Sequence, residues 1–274
     1  MTIPATVTEL GQWAFAYCSK LNELQLNEGL QVIEEFAFEG CESLQNVAVP
    51  ATLIELGRRA FARCSDLIEL QLKEGVQVIG AGAFRNCTAL KNVSLPSSVI
   101  ELRRGAFANC IALFEVKLNE GLQIIGDNAF HSCKSLRSVT LPSTVTELSR
   151  LAFSDCGNLV ELQLKEGLQV IGAHAFAFTA LQSVTLPPSL TELGEKAFCG
   201  CGNLAEVLFN KGLQTIGLGA FHLCSALRSV TMPSTVTELG SYAFCHCSNL
   251  VELQLNGCWL SENAHLLSAW RYEA

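Results

Sequence analysis

Three residues of this chain, Cys199, His222 and Cys245, have the types and the spacing that could bind a metal ion. Each directly follows a recurring phenylalanine, and 23 residues separate each from the next. Thiolate sulfur and imidazole nitrogen are the ligands that zinc prefers in proteins. If successive repeats stack, the three side chains lie about 5 Å apart, so a zinc site is one hypothesis. The more ordinary interpretation is drift of surface residues between similar repeats, and on it the chain needs no metal or cofactor.

The rest of the sequence does not match an enzyme site. The motifs of serine hydrolases, phosphate-binding loops and zinc peptidases are absent. The five histidines are scattered: His131, His174, His222, His246 and His265. We therefore predict that the protein is not an enzyme.

Ten of the thirteen cysteines share one repeat position, which indicates a structural role. They are Cys18, Cys41, Cys64, Cys87, Cys110, Cys133, Cys156, Cys201, Cys224 and Cys247. The position lies between an inward Phe and an inward Leu, where a free cysteine serves as a small apolar residue, so we predict buried, reduced thiols. Free thiols, and the lack of a signal-peptide pattern in residues 1–6, favour the cytoplasm. For a fragment of a longer protein, the alternative is a cell-surface or secreted location.

A repeat of the form AF-x-x-C-x-x-L-x-x-[LV]-x-[LV] positions all of these residues. Its phenylalanines are Phe15, Phe38, Phe61, Phe84, Phe107, Phe130, Phe153, Phe176, Phe198, Phe221 and Phe244. Nine of the steps are 23 residues long, and the step from Phe176 to Phe198 is 22. A fixed period in the twenties with leucines at fixed offsets predicts a leucine-rich-repeat solenoid of about eleven coils. We assign residues 1–257 to the solenoid and residues 258–274 to a C-terminal capping helix.

The apolar spacing within one coil predicts two kinds of local structure. In residues 152–159 apolar side chains fall at i, i+1, i+4 and i+7, which is one face of a short helical turn. Leu162 and Leu164 then alternate with polar residues, as in a half-buried strand. Stacking these strands predicts a parallel sheet with neighbours about 4.8 Å apart. A second, shorter extended segment carries Glu9 and its counterparts in the other odd coils.

The coils alternate between two kinds of corner. Odd coils are entered through a proline: Pro4, Pro50, Pro96, Pro142, Pro187 and Pro233. Even coils are entered through a glycine turn such as Asn119-Glu120-Gly121. Proline fixes φ and glycine permits positive φ, so the two corners should differ in geometry. The eighth coil is one residue short and lacks the cysteine, and we expect a local kink there.

The stretch LP-S-T-V-T-E-L-G-x-x-AF-x-x-C-x-x-L resembles the BspA-type, or Treponema-type, leucine-rich repeat. The resemblance covers residues 1–257 through eleven copies. It implies a right-handed, curved solenoid with a parallel sheet on one side and no catalytic residue in the motif. It also implies a role like that of relatives at the surface of bacteria and protists, which bind host or matrix proteins.

The outward strand positions form the candidate partner site. The predicted partner-binding residues are Ile68, Phe114, Glu115, Lys117, Arg137, Val160, Glu161, Glu206, Leu208, Arg228 and Glu252. An aromatic residue and several aliphatic residues set among charged groups are typical of a protein interface. The competing interpretation is structural, because glutamates on alternate coils avoid like charges on neighbouring strands.

Charge and hydropathy patterning narrow the choice of partner. The net charge of −8 repels nucleic acid and anionic lipid, and the apolar runs are too short to insert in a membrane. We therefore predict a protein partner, no nucleic acid and no membrane insertion. The leading function is a non-enzymatic, protein-binding scaffold. The alternative is a structural or self-assembling element that stacks through its uncapped N-terminal coil.

Overall fold

The computed structural model describes residues 1–255, which form a parallel β-solenoid of eleven coils. Each coil makes one circuit of about 23 residues, and strands in successive coils pair in parallel. We number the coils one to eleven by their phenylalanines, from Phe15 to Phe244. The predicted solenoid is confirmed. The predicted capping helix at residues 258–274 lies outside the described residues.

One continuous sheet runs the length of the solenoid and contains a two-residue strand from every coil. Its strands are Glu9–Leu10, Val32–Ile33, Glu55–Leu56, Val78–Ile79, Glu101–Leu102, Ile124–Ile125, Glu147–Leu148, Val170–Ile171, Glu192–Leu193, Thr215–Ile216 and Glu238–Leu239. The second residue of each strand is an inward Leu or Ile, and the first faces outward. Glu55 pairs with Val78 and Leu56 with Ile79, so like residue positions lie side by side.

A second set of longer strands forms five separate pairs. Its strands are Asn46–Val49, Glu69–Leu72, Asn92–Ser94, Glu115–Lys117, Ser138–Thr140, Glu161–Gln163, Ser183–Thr185, Glu206–Leu208, Ser229–Met232 and Glu252–Leu255. Each even-coil strand pairs with the odd-coil strand that follows it. The predicted parallel pairing of these strands is confirmed, but the sheet is divided into five pairs, and the uninterrupted sheet lies on the other extended segment.

Side chains at the two kinds of corner link successive coils. The side-chain amide of Asn119, at the entry to coil six, donates hydrogen bonds to the carbonyls of Pro96 (2.8 Å) and Val99 (3.0 Å), at the entry to coil five. The carboxylate of Glu120 instead accepts hydrogen bonds from the N–H and hydroxyl of Ser143, both at 3.1 Å. Side chains of a glycine corner thus hold it to the proline corner before it and to the proline corner after it.

The segment around each phenylalanine is a run of tight turns, so the predicted helical turn is wrong. Residues 1–255 contain no helix of any type. Alternate residues donate in two directions: the N–H of Ala60 bonds to the Gly57 carbonyl of its own coil (3.2 Å), and the N–H of Phe61 bonds to the Ala83 carbonyl of the next coil (2.8 Å). Half of the backbone N–H groups that would form the hydrogen bonds of a helix instead bond to carbonyls of the next coil. We call residues 57–64 and their counterparts the turn segments.

Two residues in every turn segment adopt positive φ, at positions two before and two after the phenylalanine. In coil five they are Gly105 (φ 65°) and Asn109 (φ 61°), and in coil three Arg59 (φ 53°) and Arg63 (φ 62°). This conformation costs about 1–2 kcal/mol for ordinary L residues. Consistent with that cost, no Val, Ile or Thr occupies any of these positions, although the chain contains 18 Val, 11 Ile and 15 Thr.

The core is a column of stacked phenylalanines. Phe38 to Phe221 are fully buried, and neighbouring rings are 5.1–5.7 Å apart between centroids. The largest angle between neighbouring rings, 13°, separates Phe176 from Phe198 at the short eighth coil. The continuous sheet crosses the same place, where Val170 pairs with Glu192. The short coil therefore tilts the stack slightly without interrupting it.

A column of cysteines lies beside the phenylalanines. The Cys64 thiol donates to the Phe38 carbonyl of the preceding coil at 3.4 Å, and the pattern recurs in later coils. Burial raises the pKa of the Cys110 and Cys156 thiols to about 12. None of the described cysteines is in a disulfide. The prediction of buried thiols holds for nine of the ten and is wrong for Cys18, which is exposed in the first coil.

Candidate functional site

The proposed metal ligands do not form a coordination site. Cys199 is buried, which raises its pKa, and desolvation lowers the pKa of His222. The His222 ring meets the His246 ring edge-on, with centroids 5.2 Å apart. Within residues 1–255, no group of three or more His, Cys, Asp or Glu side chains is placed to hold a metal ion. The structure therefore offers no support for the zinc hypothesis.

The predicted partner residues lie on one exposed surface, which we call the strand face. It consists of the outward side chains of the longer strands together with the residue just before each strand. The residues just before the strands form a row that alternates between apolar side chains in odd coils and basic or amide side chains in even coils: Ile68, Lys91, Phe114, Arg137, Val160, Gln182, Ala205, Arg228 and Val251. All of them are exposed.

Backbone hydrogen bonds bring the centre of this row together. The N–H of Arg137 donates to the Phe114 carbonyl (3.4 Å), and the N–H of Val160 donates to the Arg137 carbonyl (2.9 Å). The three residues therefore occupy neighbouring coils. The Phe114 side chain is 43% exposed, Val160 is 37% exposed, and Leu208 farther along is 51% exposed. The structure thus fixes the outward direction of the apolar residues, which the sequence left open.

Charged groups of the strand face are only partly paired. Glu115, Glu161, Glu206 and Glu252 lie in register with Asn92, Ser138, Ser183 and Ser229 of the preceding coils. Lys117 makes an ion pair with Glu115 at 3.4 Å. Neither Arg137 nor Arg228 makes an ion pair with any residue in the range 1–255. Both guanidinium groups are exposed, so each can meet an incoming carboxylate.

The continuous sheet also exposes apolar side chains. Its outward row alternates glutamate in odd coils with Val, Ile or Thr in even coils. Ile124 in this row is 48% exposed, and Ile54, just before its strand, is 58% exposed. The Arg103 guanidinium bridges Glu55 and Glu101, which neutralises part of the acidic row.

Sequence reasoning missed a group of arginines on the turn segments. Their exposed side chains form a third surface, which we call the turn face. Arg58, Arg63, Arg85 and Arg104 are exposed there, in coils three to five. Arg59 instead forms an ion pair with Glu39, which is 1% exposed. The available signal was the stretch RRAFAR at residues 58–63, which the negative net charge of the whole chain obscured.

Comparison with known proteins agrees with the resemblance of the sequence motif to the BspA-type repeat. The model of the BspA type leucine rich repeat region matches six copies, over residues 1–114, 77–204 and 171–262. The Treponema pallidum leucine-rich repeat protein TpLRR is 25% identical, with 74% of this chain and 77% of that chain covered and a TM-score of 0.51. A leucine-rich repeat protein from Eubacterium ventriosum is 21% identical, with 89% and 75% covered and a TM-score of 0.56.

The fold also resembles that of the pneumococcal vaccine antigen PcpA. The two are 18% identical, with 93% of this chain and 78% of that chain covered and a TM-score of 0.53. No curated protein matches the chain. The matched family and fold are those of repeat scaffolds. Across residues 1–255 there is no helix of the length and apolar character that crossing a bilayer requires.

Proposed function

The chain belongs to the BspA-type leucine-rich repeat family, and from that premise we propose that it is a non-enzymatic scaffold that binds a partner protein through its strand face. Solenoids present extended surfaces of this kind, and they use them for recognition. The proposal assigns binding to the row from Ile68 to Val251 and to the glutamates beside it.

The observation that carries the proposal is the row of exposed apolar side chains alternating with basic ones. Phe114 and Val160 flank Arg137 on neighbouring coils, and Arg137 has no ionic partner within residues 1–255. Aromatic residues and arginine are the types that contribute most to protein interfaces, and they do so next to apolar anchors. An arginine without a partner supports binding because a partner carboxylate can form two parallel hydrogen bonds with it.

The experiment is a paired substitution on the strand face. A partner is first captured from a native extract, and its affinity is measured by titration calorimetry against wild type and against Phe114→Ala/Arg137→Ala. Both side chains are exposed, so the free energy of unfolding should change by no more than about 1 kcal/mol. Partner binding should weaken at least tenfold, which is about 1.4 kcal/mol.

A matched control places the substitutions on the continuous sheet. Glu9→Gln and Glu147→Gln alter exposed residues of comparable accessibility on that surface. These variants should bind the partner as wild type does. If they lose binding and the Phe114→Ala/Arg137→Ala protein keeps it, the partner surface is the continuous sheet and the assignment to the strand face is wrong.

A further inference from the structure

Arginine is concentrated on one part of the turn face, although the chain as a whole is acidic. Six of its ten arginines fall within residues 58–104: Arg58, Arg59, Arg63, Arg85, Arg103 and Arg104. The turn segments of coils three to five, residues 57–64, 80–87 and 103–110, contain no Asp, Glu or Lys. Solubility does not explain a basic area of this kind on a protein with a net charge of −8.

Two of the six arginines stabilise the solenoid itself. Arg59 neutralises Glu39, whose side chain is almost completely buried, and lies over the Phe36 ring at 5.5 Å from its centroid. Arg103 bridges the glutamates of two odd coils, Glu55 and Glu101. These contacts account for the presence of Arg59 and Arg103 without any ligand.

The other four, Arg58, Arg63, Arg85 and Arg104, are exposed and make no ion pair with residues 1–255. Of these, Arg58 also lies over the Phe36 ring, 5.6 Å from its centroid. The N–H of Arg63 donates to the Arg85 carbonyl at 2.7 Å, so these two lie on adjacent coils. Arg58 and Arg104 hold the same repeat position two coils apart, which is roughly 10 Å at the spacing of parallel strands. The four positive charges of this cluster therefore lie on three successive coils, and Glu35 of coil two and Asp127 of coil six border them at the repeat position of Arg58 and Arg104 without forming an ion pair with them.

The residues beside the cluster narrow the kind of ligand. Ile54 and Ile100 each lie four residues before an arginine of the cluster, and they are 58% and 38% exposed. The other odd coils carry threonine at this position: Thr8, Thr146, Thr191 and Thr237. Coils three and five thus combine an exposed isoleucine with an arginine four residues later, whereas coil seven has Thr146 before Arg150. A sulfated polysaccharide would use the arginines but not the isoleucines.

We propose that the turn face of coils three to five is a second binding surface, separate from the strand face, for an acidic protein segment that also carries apolar side chains. Guanidinium groups bind carboxylates through two parallel hydrogen bonds, and the absence of lysine fits that geometry. An extended segment of about three or four residues spans the distance between Arg58 and Arg104. The exposed isoleucines provide the apolar contacts at the edge of the cluster.

The test uses a fluorescein-labelled peptide of repeated Glu-Glu-Phe units and measures its anisotropy on binding to the whole chain. Two independent double variants, Arg58→Gln/Arg104→Gln and Arg63→Gln/Arg85→Gln, should each weaken binding at least tenfold. Arg137→Gln/Arg228→Gln removes the same charge from exposed positions on the strand face, and it should change binding less than about twofold. A Gln-Gln-Phe peptide should not bind.

Three results would overturn the proposal. Wild type could fail to bind the acidic peptide at millimolar concentration. The strand-face control could lose as much affinity as the two cluster variants, which would show unspecific attraction. A heparin-type polysaccharide could bind with the predicted dependence on the arginines while the peptide did not, which would make the ligand a sulfated polymer. None of these outcomes affects the strand-face proposal, whose test uses the captured partner.

Discussion

The positive φ in the turn segments predicts a graded response to three glycine-to-alanine substitutions. Gly202 has an ordinary φ, and an added Cβ would lie 3.6 Å from its nearest neighbour, the Ser225 hydroxyl. Gly105 has φ +65°, and an added Cβ would meet only the Ala108 Cβ at 3.7 Å. Gly75 has φ +121°, and an added Cβ would lie 2.0 Å from the Ala51 carbonyl oxygen. The three sites therefore separate backbone conformation from steric overlap.

The magnitudes follow from the conformations. Each substitution reduces the conformational entropy of the unfolded chain, which raises the free energy of unfolding by about 0.4–1 kcal/mol. Only in Gly105→Ala and Gly75→Ala does the new side chain destabilise the folded state, by about 1–2 kcal/mol, because the backbone there has positive φ. The free energy of unfolding of Gly105→Ala should therefore be about 1–2 kcal/mol lower than that of Gly202→Ala. This difference corresponds to a Tm lower by roughly 2–8 °C for a chain of this size. Gly75→Ala should be the least stable, because the backbone at Ala51 must also move.

The assay is thermal unfolding followed by circular dichroism, with urea unfolding as a second measure. Gly202→Ala is the matched control, because it shares the change in the unfolded chain and lacks the left-handed conformation. Equal Tm values for Gly105→Ala and Gly202→Ala would refute the reasoning. The turn segments would then have to adopt another backbone, such as the helical turn that the apolar spacing predicted.

Three further predictions concern the corners, the cysteines and the state of association. The Glu74 carboxylate accepts hydrogen bonds from the Ser97 and Ser98 N–H groups, and these bonds, the Ser97 bond first, lower its pKa from the ordinary 4.5. Glu74→Gln should therefore lower Tm at neutral pH, and the difference should disappear as pH falls from 4.5 through the lowered pKa. Glu166→Gln should change Tm little, because Pro188, which has no N–H, holds the corner position that Ser97 holds for Glu74. At pH 8 a thiol reagent should label Cys18 rapidly and the buried thiols such as Cys110, whose pKa is raised to about 12, only after unfolding; rapid native labelling of ten or more thiols would contradict the buried column. Light scattering should give a mass independent of concentration, and a mass that rises with concentration would favour the self-assembling alternative.

The sequence was sufficient to predict the solenoid but not the backbone of the turn segments. The 23-residue period and the inward Phe and Leu positions correctly implied stacked parallel coils. The helical turn was a misreading, because apolar residues at i, i+1 and i+4 fit both a helix and consecutive tight turns. A better signal was present at the two positions flanking Phe107, Gly105 and Asn109, which favour positive φ, and in the exclusion of β-branched residues from the equivalent positions.

The sheets and the sites differ in how far they could be predicted. Alternation along the strands placed Phe114 and Arg137 on an exposed surface, and both are exposed. The periodicity could not show which extended segment forms the continuous sheet, because both segments recur once in every coil. The turn-face arginines were missed because they occupy three different repeat positions, and only Arg58 and Arg104 share one. Only stacking of the coils brings Arg63 next to Arg85.

Hydroxyl-radical footprinting of the complex with the captured partner tests the strand-face proposal most directly. Phe114 and Leu208 on the strand face are 43% and 51% exposed, and Val32 and Ile124 on the continuous sheet are 39% and 48% exposed. The four side chains therefore start from comparable accessibility, and mass spectrometry can measure the oxidation of each. The strand-face account predicts that the partner reduces oxidation of Phe114 and Leu208 and leaves Val32 and Ile124 unchanged. Protection of Val32 and Ile124, with Phe114 and Leu208 oxidised as in the free protein, would contradict it.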